Sequence, residues 1–157
     1  VPCFTRPSPP PFPLPSQGIL GLHEYNSPVL DNCFDNSTGE GWMTGRYRKY
    51  YRQYLAPTNR TLPLVISEFG IDNSPCTQPA SPNFGGWRKY CDWWPQHGIG
   101  SGSCAQTYVG MMLWYNSLLM QDSFVIGATV YQLEIPGWQD YSIAGNVTDI
   151  LIQTFSQ

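Results

Sequence analysis

Apolar and polar positions along the chain sort into three short apolar runs, each followed by a polar loop and then by a segment with helical spacing. The sharpest run is Leu62-Pro63-Leu64-Val65-Ile66-Ser67-Glu68-Phe69-Gly70-Ile71-Asp72. It is rich in β-branched residues and does not alternate, the pattern of a strand buried on both faces in a parallel sheet. A second run, at 18–22, gives way to His23, Glu24 and Tyr25; a third, at 124–133, opens into a loop holding Glu134, Trp138 and Asp140. Between them, residues 46–55 place Tyr47, Tyr50, Tyr51 and Tyr54 at helical spacing, which makes the Arg and Lys residues a solvated face, and Pro57 stops the helix. Residues 107–122 repeat the pattern with Tyr108, Met111, Met112, Tyr115, Leu118 and Leu119. A last helix begins near Asn146, with Asp149 in capping-box position, and runs to about Phe155.

Strand, helix, strand, helix, strand, helix is the order of repeated βα units, whose strands run parallel with right-handed crossovers. The expected fold class is α/β, a partial TIM-barrel-like (βα)3 array over residues 18–157. Residues 1–17 hold Pro2, Pro7, Pro9, Pro10, Pro11, Pro13 and Pro15 and read as a proline-rich arm or linker. Residues 73–103 are dominated by Pro, Gly, Ser, Trp and Cys; an excursion of that length is expected to be functional, disulfide-held and able to form a substrate wall. Three parallel strands leave both sheet edges unpaired. The chain is therefore expected to be a piece of a larger barrel or a homo-oligomer that completes its sheet with another copy.

Composition narrows the partners. At 157 residues with 41% hydrophobic content, one domain with its own core is the default. Only 12% of residues are charged and the net charge is -3, which removes the electrostatic footprint of a nucleic-acid or anionic-membrane binder. No apolar run approaches the length of a membrane span. Aromatic residues reach 15%, which serves either sugar stacking or core filling. The five cysteines, Cys3, Cys33, Cys76, Cys91 and Cys104, lack CxxC spacing and suit disulfides better than zinc. An odd count implies a free thiol, a bond to another chain, or a partner in sequence beyond this chain. Sequons at Asn36, Asn59 and Asn146 fit N-glycans on a secreted, extracellular protein. Without an opening Met or a leader, the chain reads as processed or truncated. With two histidines and no HExxH, no metal is expected; the glycines at 98–102 lack a strand-to-helix context, so no nucleotide cofactor is expected either.

Glu68 is the first catalytic candidate. It stands where its strand meets a loop, Gly70 lets the backbone turn, and ligands of parallel α/β sheets bind at the carboxyl ends of strands. The alternative is a structural acid that closes the strand. Around His23-Glu24-Tyr25, Ser67-Glu68-Phe69-Gly70 and Ala128-Thr129-Val130-Tyr131-Gln132-Leu133, the chain resembles the carboxyl-terminal part of the clan A (β/α)8-barrel glycoside hydrolases, and it is similar to secreted fungal glycosidase-like proteins. The resemblance implies that the three strands are barrel strands six to eight. It also implies retaining hydrolysis of O-glycosidic bonds in an extracellular polysaccharide, with Glu68 as nucleophile and His23 and Tyr25 at the sugar. Trp87 and Trp138 are the expected aromatic sugar contacts. The clan's Asn-Glu acid/base pair is absent from the chain. Glu134 is the candidate second acid, whereas period-two alternation turns Glu24 away from His23 and Tyr25. A catalytically inactive secreted carbohydrate-binding protein, or a truncated barrel fragment, is the alternative reading.

Overall fold

The computed structural model describes residues 18–72 and 85–156. The proline-rich arm with Cys3 and the first part of the long excursion with Cys76 lie outside the described residues. Strand β1 (Leu20–Asn26) is followed by a two-residue antiparallel ribbon, β2 (Phe34–Asp35) against β3 (Glu40–Gly41), and then by α1 (Arg46–Tyr50). Strand β4 (Leu64–Ile71), the short helix α2 (Trp93–Gln96) and the long helix α3 (Cys104–Leu119) come next. Strand β5 (Val125–Val130) and α4 (Asn146–Phe155) complete the chain. The three long strands form one parallel sheet in the order β1-β4-β5. The architecture is thus an open α/β array of three βα units, with β1 and β5 as the outer strands of the sheet among the described residues.

Register decides what each face of the sheet carries. Leu20, Leu64 and Val125 stand side by side, then Leu22, Ile66 and Ala128, then Glu24, Phe69 and Val130. Residues paired across strands share a face. This face packs on α3, with the Phe69 ring 4.9 Å from Tyr115 and with Ile66, Tyr108 and Met112 fully buried. The opposite face carries Gly21, Val65 and Gly127, then His23 beside Glu68, then Tyr25 beside Gly70. Among the described residues no helix covers that face: Gly21 and His23 are exposed and Val65 is half-buried. The expectation of a central strand buried on both faces is corrected to burial on one. The unbroken apolar run hid this because Val65 occupies the open side.

The helix layer departs from its sequence pattern at α1. Arg48, read as part of a solvated face, is buried. Its guanidinium donates to Asp122 at 2.5 Å, to the backbone carbonyls of Gly39 and Leu118, and to the Gln121 side chain. Tyr50 and Tyr54 are exposed instead. Beyond Tyr50 the helix widens into a π turn at Tyr51–Leu55 and tightens into a 3-10 turn at Ala56–Thr58, and Asn59 ends it in the left-handed region. Helix α3 starts earlier than the apolar spacing suggests, because Ser103 and Gln106 form a reciprocal capping box ahead of Tyr108. Helix α4 has the expected bounds but not the expected cap: Gly145 precedes it and no side chain caps it.

The described part of the long excursion is more ordered than a loop. A 3-10 turn at Trp87–Tyr90 and helix α2 are bound to the start of α3 by the Cys91–Cys104 disulfide. Cys33 is also disulfide-bonded. Trp94 is buried and donates its indole N–H to the Pro28 carbonyl, which fixes this segment against the loop after β1. The sequon residues Asn36, Asn59 and Asn146 are all exposed.

Candidate active site at the carboxyl end of the sheet

Glu68 reaches the open face through a β-bulge. In strict alternation Ile66 faces the helices, Ser67 the open side, and Glu68 the helices again. The register slips by one residue of β4 on both sides: Leu22 and His23 pair with Ile66 and Glu68, and Ala128 and Val130 pair with Ile66 and Phe69. One extra residue at Ser67–Glu68 returns Phe69 and Ile71 to the core and leaves Glu68 on the open face. Hydroxyls on each side hold the bulge. Ser67 Oγ donates to the Leu22 carbonyl at 3.3 Å, and Thr129 Oγ1 donates to the Ser67 carbonyl.

The neighbouring strand then supplies partners. Tyr25 donates its phenolic hydrogen to Glu68 Oε2 at 2.5 Å, and His23 Nδ1 stands 3.3 Å from the same oxygen. Burial first, and then the hydrogen bond to Glu68, push the Tyr25 phenol well above its usual range, so it remains a donor. The Glu68 side chain is 36% exposed and that of His23 55%, so a ligand can reach both. Gly70 sits in a tight place beside them: a Cβ there would stand 3.0 Å from the Tyr108 hydroxyl and 3.2 Å from the Tyr131 carbonyl.

An aromatic wall rises from the loop after β5. The Tyr131 ring meets Tyr25 edge-on at 5.9 Å and Trp138 edge-on at 6.2 Å, and Tyr141 lies 5.3 Å from Trp138. Tyr141 donates to Asp72 Oδ1 at 2.6 Å, which ties the exit of β4 to the exit of β5. The peptide between Tyr131 and Gln132 is cis. Gln132 is buried and donates to the Trp138 carbonyl, while its Oε1 has no partner among the described residues.

The structure therefore gathers Glu68, His23, Tyr25 and Trp138 at one end of the sheet and adds Tyr131, Tyr141 and Asp72. Trp87 does not join them. It is 3% exposed, stacks on Tyr108 at 4.9 Å, and donates its indole N–H to the carbonyls of Tyr141 and Ser142. Its role as a sugar contact is corrected to that of a core residue that buttresses the loop carrying the wall. Glu134 is exposed in that loop and makes no ion pair among the described residues.

Glu24 lies on the opposite face, as alternation requires. It is fully buried and accepts from the Gly45 N–H at 2.6 Å, the Tyr47 N–H at 2.7 Å and the Tyr115 hydroxyl at 2.7 Å. Burial raises its pKa to about 7 despite these donors. It anchors α1 and α3 to β1. Among the described residues no group of three His, Cys, Asp or Glu side chains could hold a metal ion.

Two features escaped the sequence reading. The bulge had a signal, since the buried apolar positions run 64, 66, 69, 71, a parity break that brackets the polar pair Ser67–Glu68. Tyr141 lay in a segment without periodicity, and only the fold brings it to Asp72. Comparison with protein-family models, with curated proteins and with solved structures found no match.

Proposed function

We propose that the chain carries the nucleophile end of a glycosidase-like site that hydrolyses O-glycosidic bonds of an extracellular polysaccharide with retention. The observation that carries this reading is the Glu68 carboxylate at the carboxyl end of a parallel sheet, hydrogen-bonded by Tyr25 and flanked by His23 and the Tyr131–Trp138 wall. In such a reaction Glu68 attacks the anomeric carbon. A second carboxylic acid, about 5 to 5.5 Å from it, protonates the leaving oxygen, and water then releases the sugar. Tyr25 and His23 orient Glu68, and the aromatic wall stacks on a sugar ring. The resemblance to clan A barrels supports the same assignment of roles.

A second reading, a secreted carbohydrate-binding protein without catalysis, is favoured by one observation. Glu24 is locked on the helix side of the sheet, and Glu134 makes no ion pair among the described residues. The test is anomer-resolved product analysis on β-glucan and β-mannan oligosaccharides for wild type and Glu68→Gln. Retained-anomer product from wild type and none from the variant supports the nucleophile. Equal product from both removes Glu68 from that role. Binding without product from either protein selects the second reading.

A further inference from the structure

A groove separate from the Glu68 cluster lies on the flank where β1 meets α1. Its volume is about 530 Å³, and Leu22 of β1, Met43 and the rings of Trp42, Tyr50 and Tyr54 line it. The three rings are exposed, Trp42 by 64% and Tyr54 by 60%, and Tyr50 and Tyr54 stand 5.5 Å apart. The helical spacing that sends Tyr47 into the core puts Tyr50 and Tyr54 together on the groove side. Exposed rings gathered in one groove mark a binding surface rather than chance exposure.

The groove is also basic. Arg46 and Lys49 line it, no acidic side chain among the described residues does, and neither cation makes an ion pair among them. The other two cations of this segment are held elsewhere: Arg48 is buried against Asp122, and Arg52 is paired with Glu40 at 3.0 Å. Arg46 gives one N–H to the His23 carbonyl and keeps the rest of its fork, and Lys49 stands 5.6 Å from the Trp42 ring. Glu24 lies beneath α1 with its oxygens taken by Gly45, Tyr47 and Tyr115. On a chain of net charge -3, two cations without a carboxylate partner steer an acidic ligand to this flank.

We propose that this groove binds an acidic polysaccharide, one whose pyranose rings carry carboxylates. A pyranose has a flat C–H face and a rim of hydroxyls. Trp42, Tyr50 and Tyr54 offer ring faces to the first, and the tyrosine hydroxyls and the Gln53 amide meet the second. Arg46 and Lys49 take the carboxylates by charge-assisted hydrogen bonds. An acidic peptide would use the two cations but leave three rings along one groove without flat partners. The inference does not rest on the glycosidase reading, because none of these residues belongs to the Glu68 cluster.

The test is calorimetric titration of the full chain at about 50 mM salt, where screening is weak, with a galacturonic acid oligomer as the probe and its methyl ester as the uncharged control. Wild type is expected to bind the acid, to bind the ester about tenfold or more weakly, and to lose affinity for the acid as salt rises. That comparison needs no variant. Lys49→Glu and Trp42→Ala, both at exposed positions and each checked for a wild-type circular dichroism spectrum, are each expected to weaken binding about tenfold or more, one through its charge and the other through its ring. Glu68→Gln and Trp138→Ala are expected to bind the oligomer as wild type does, so failure of either functional reading leaves the other standing. Loss in those two variants without loss in Lys49→Glu and Trp42→Ala puts the oligomer at the Glu68 cluster and overturns the proposal. No binding to wild type, or equal binding of the ester, overturns it as well. Equal binding of a polyglutamate peptide or of single-stranded DNA overturns it in favour of an acidic-peptide site or of general polyanion attraction.

Discussion

Tyr25 on β1 and Glu68 on β4 meet across two parallel strands through a 2.5 Å hydrogen bond, although their backbones are not register partners: His23 pairs with Glu68 and Tyr25 with Gly70. The bulge at Ser67 turns Glu68 toward Tyr25. Sequence, register and site chemistry are joined in that pair.

Replacing Tyr25 with Phe removes a charge-assisted donor, an interaction of about 1.5–3 kcal/mol. Under the proposed mechanism kcat is expected to fall on the order of 10- to 100-fold, with Glu68→Gln falling further. A second outcome does not depend on catalysis. Because the Glu68 charge opposes formation of the Tyr25 phenolate, Glu68→Gln lets Tyr25 ionise at lower pH than in wild type. Ultraviolet difference titration of the tyrosines measures this, and an unchanged curve would disprove the pairing.

Glu24 gives the fold a pH dependence. Its folded pKa of about 7 lies above the ordinary 4.5, so the folded state holds this proton more tightly than the unfolded chain does. The stabilisation is fully present below pH 4.5 and is lost as pH rises through 7. The melting temperature is expected to fall by roughly 5–10 °C over that window, and Glu24→Gln to flatten the slope. The variant also starts from lower stability, because with the amide oxygen kept for the Gly45 N–H and Tyr115 O–H donors, its NH2 faces the Tyr47 N–H in place of an acceptor. Scanning calorimetry at several pH values checks both outcomes.

The strand order, the three helices and the placement of Glu68, His23 and Tyr25 at one end were legible because apolar spacing reports burial against a single neighbouring layer. The bland alternation of β1 even separated Glu24 from the site correctly. What was not legible depended on contacts between distant segments. Arg48 looked like a surface residue because nothing local announces that Asp122, 74 residues later, will meet it in the core. Trp87 looked like a wall residue because an aromatic in an irregular segment carries no signal of which way it faces; the Cys91–Cys104 bond and the cover of Tyr108 turned it inward.

Arg48 is accordingly expected to be a stability residue. Its guanidinium satisfies one carboxylate and two backbone carbonyls in a buried setting, and Tyr47 donates to the same Asp122 oxygen at 2.6 Å. Arg48→Met leaves the half-buried Asp122 without its cation and the Gly39 and Leu118 carbonyls without their donor, and is expected to cost about 3 kcal/mol. Arg48→Lys recovers only part of this, since an ammonium cannot span Asp122, Gly39 and Leu118 together. Urea unfolding followed by tryptophan fluorescence gives both values, and a loss below about 1 kcal/mol for the Met variant would contradict the network.

The aromatic wall separates a binding contribution from a scaffolding one. Trp138 is 48% exposed and offers its ring to a ligand, whereas the Tyr141 hydroxyl is spent on Asp72. Under the proposed carbohydrate reading, Trp138→Ala is expected to weaken oligosaccharide binding by about tenfold or more, the loss of one stacked ring of 0.5–1.5 kcal/mol plus its buried area, with little change in unfolding free energy. Tyr141→Phe keeps the ring beside Trp138 and Tyr131 but cuts the tie between the loops after β4 and β5. It is expected to cost about 1 kcal/mol of stability and to weaken binding less than Trp138→Ala does. Burial, and then the bond to Asp72, hold the Tyr141 phenol above its usual range, so this tie persists through neutral and mildly alkaline pH. Calorimetric titration paired with urea unfolding of both variants distinguishes the two roles, and the assignment fails if Trp138→Ala lowers stability while leaving affinity unchanged.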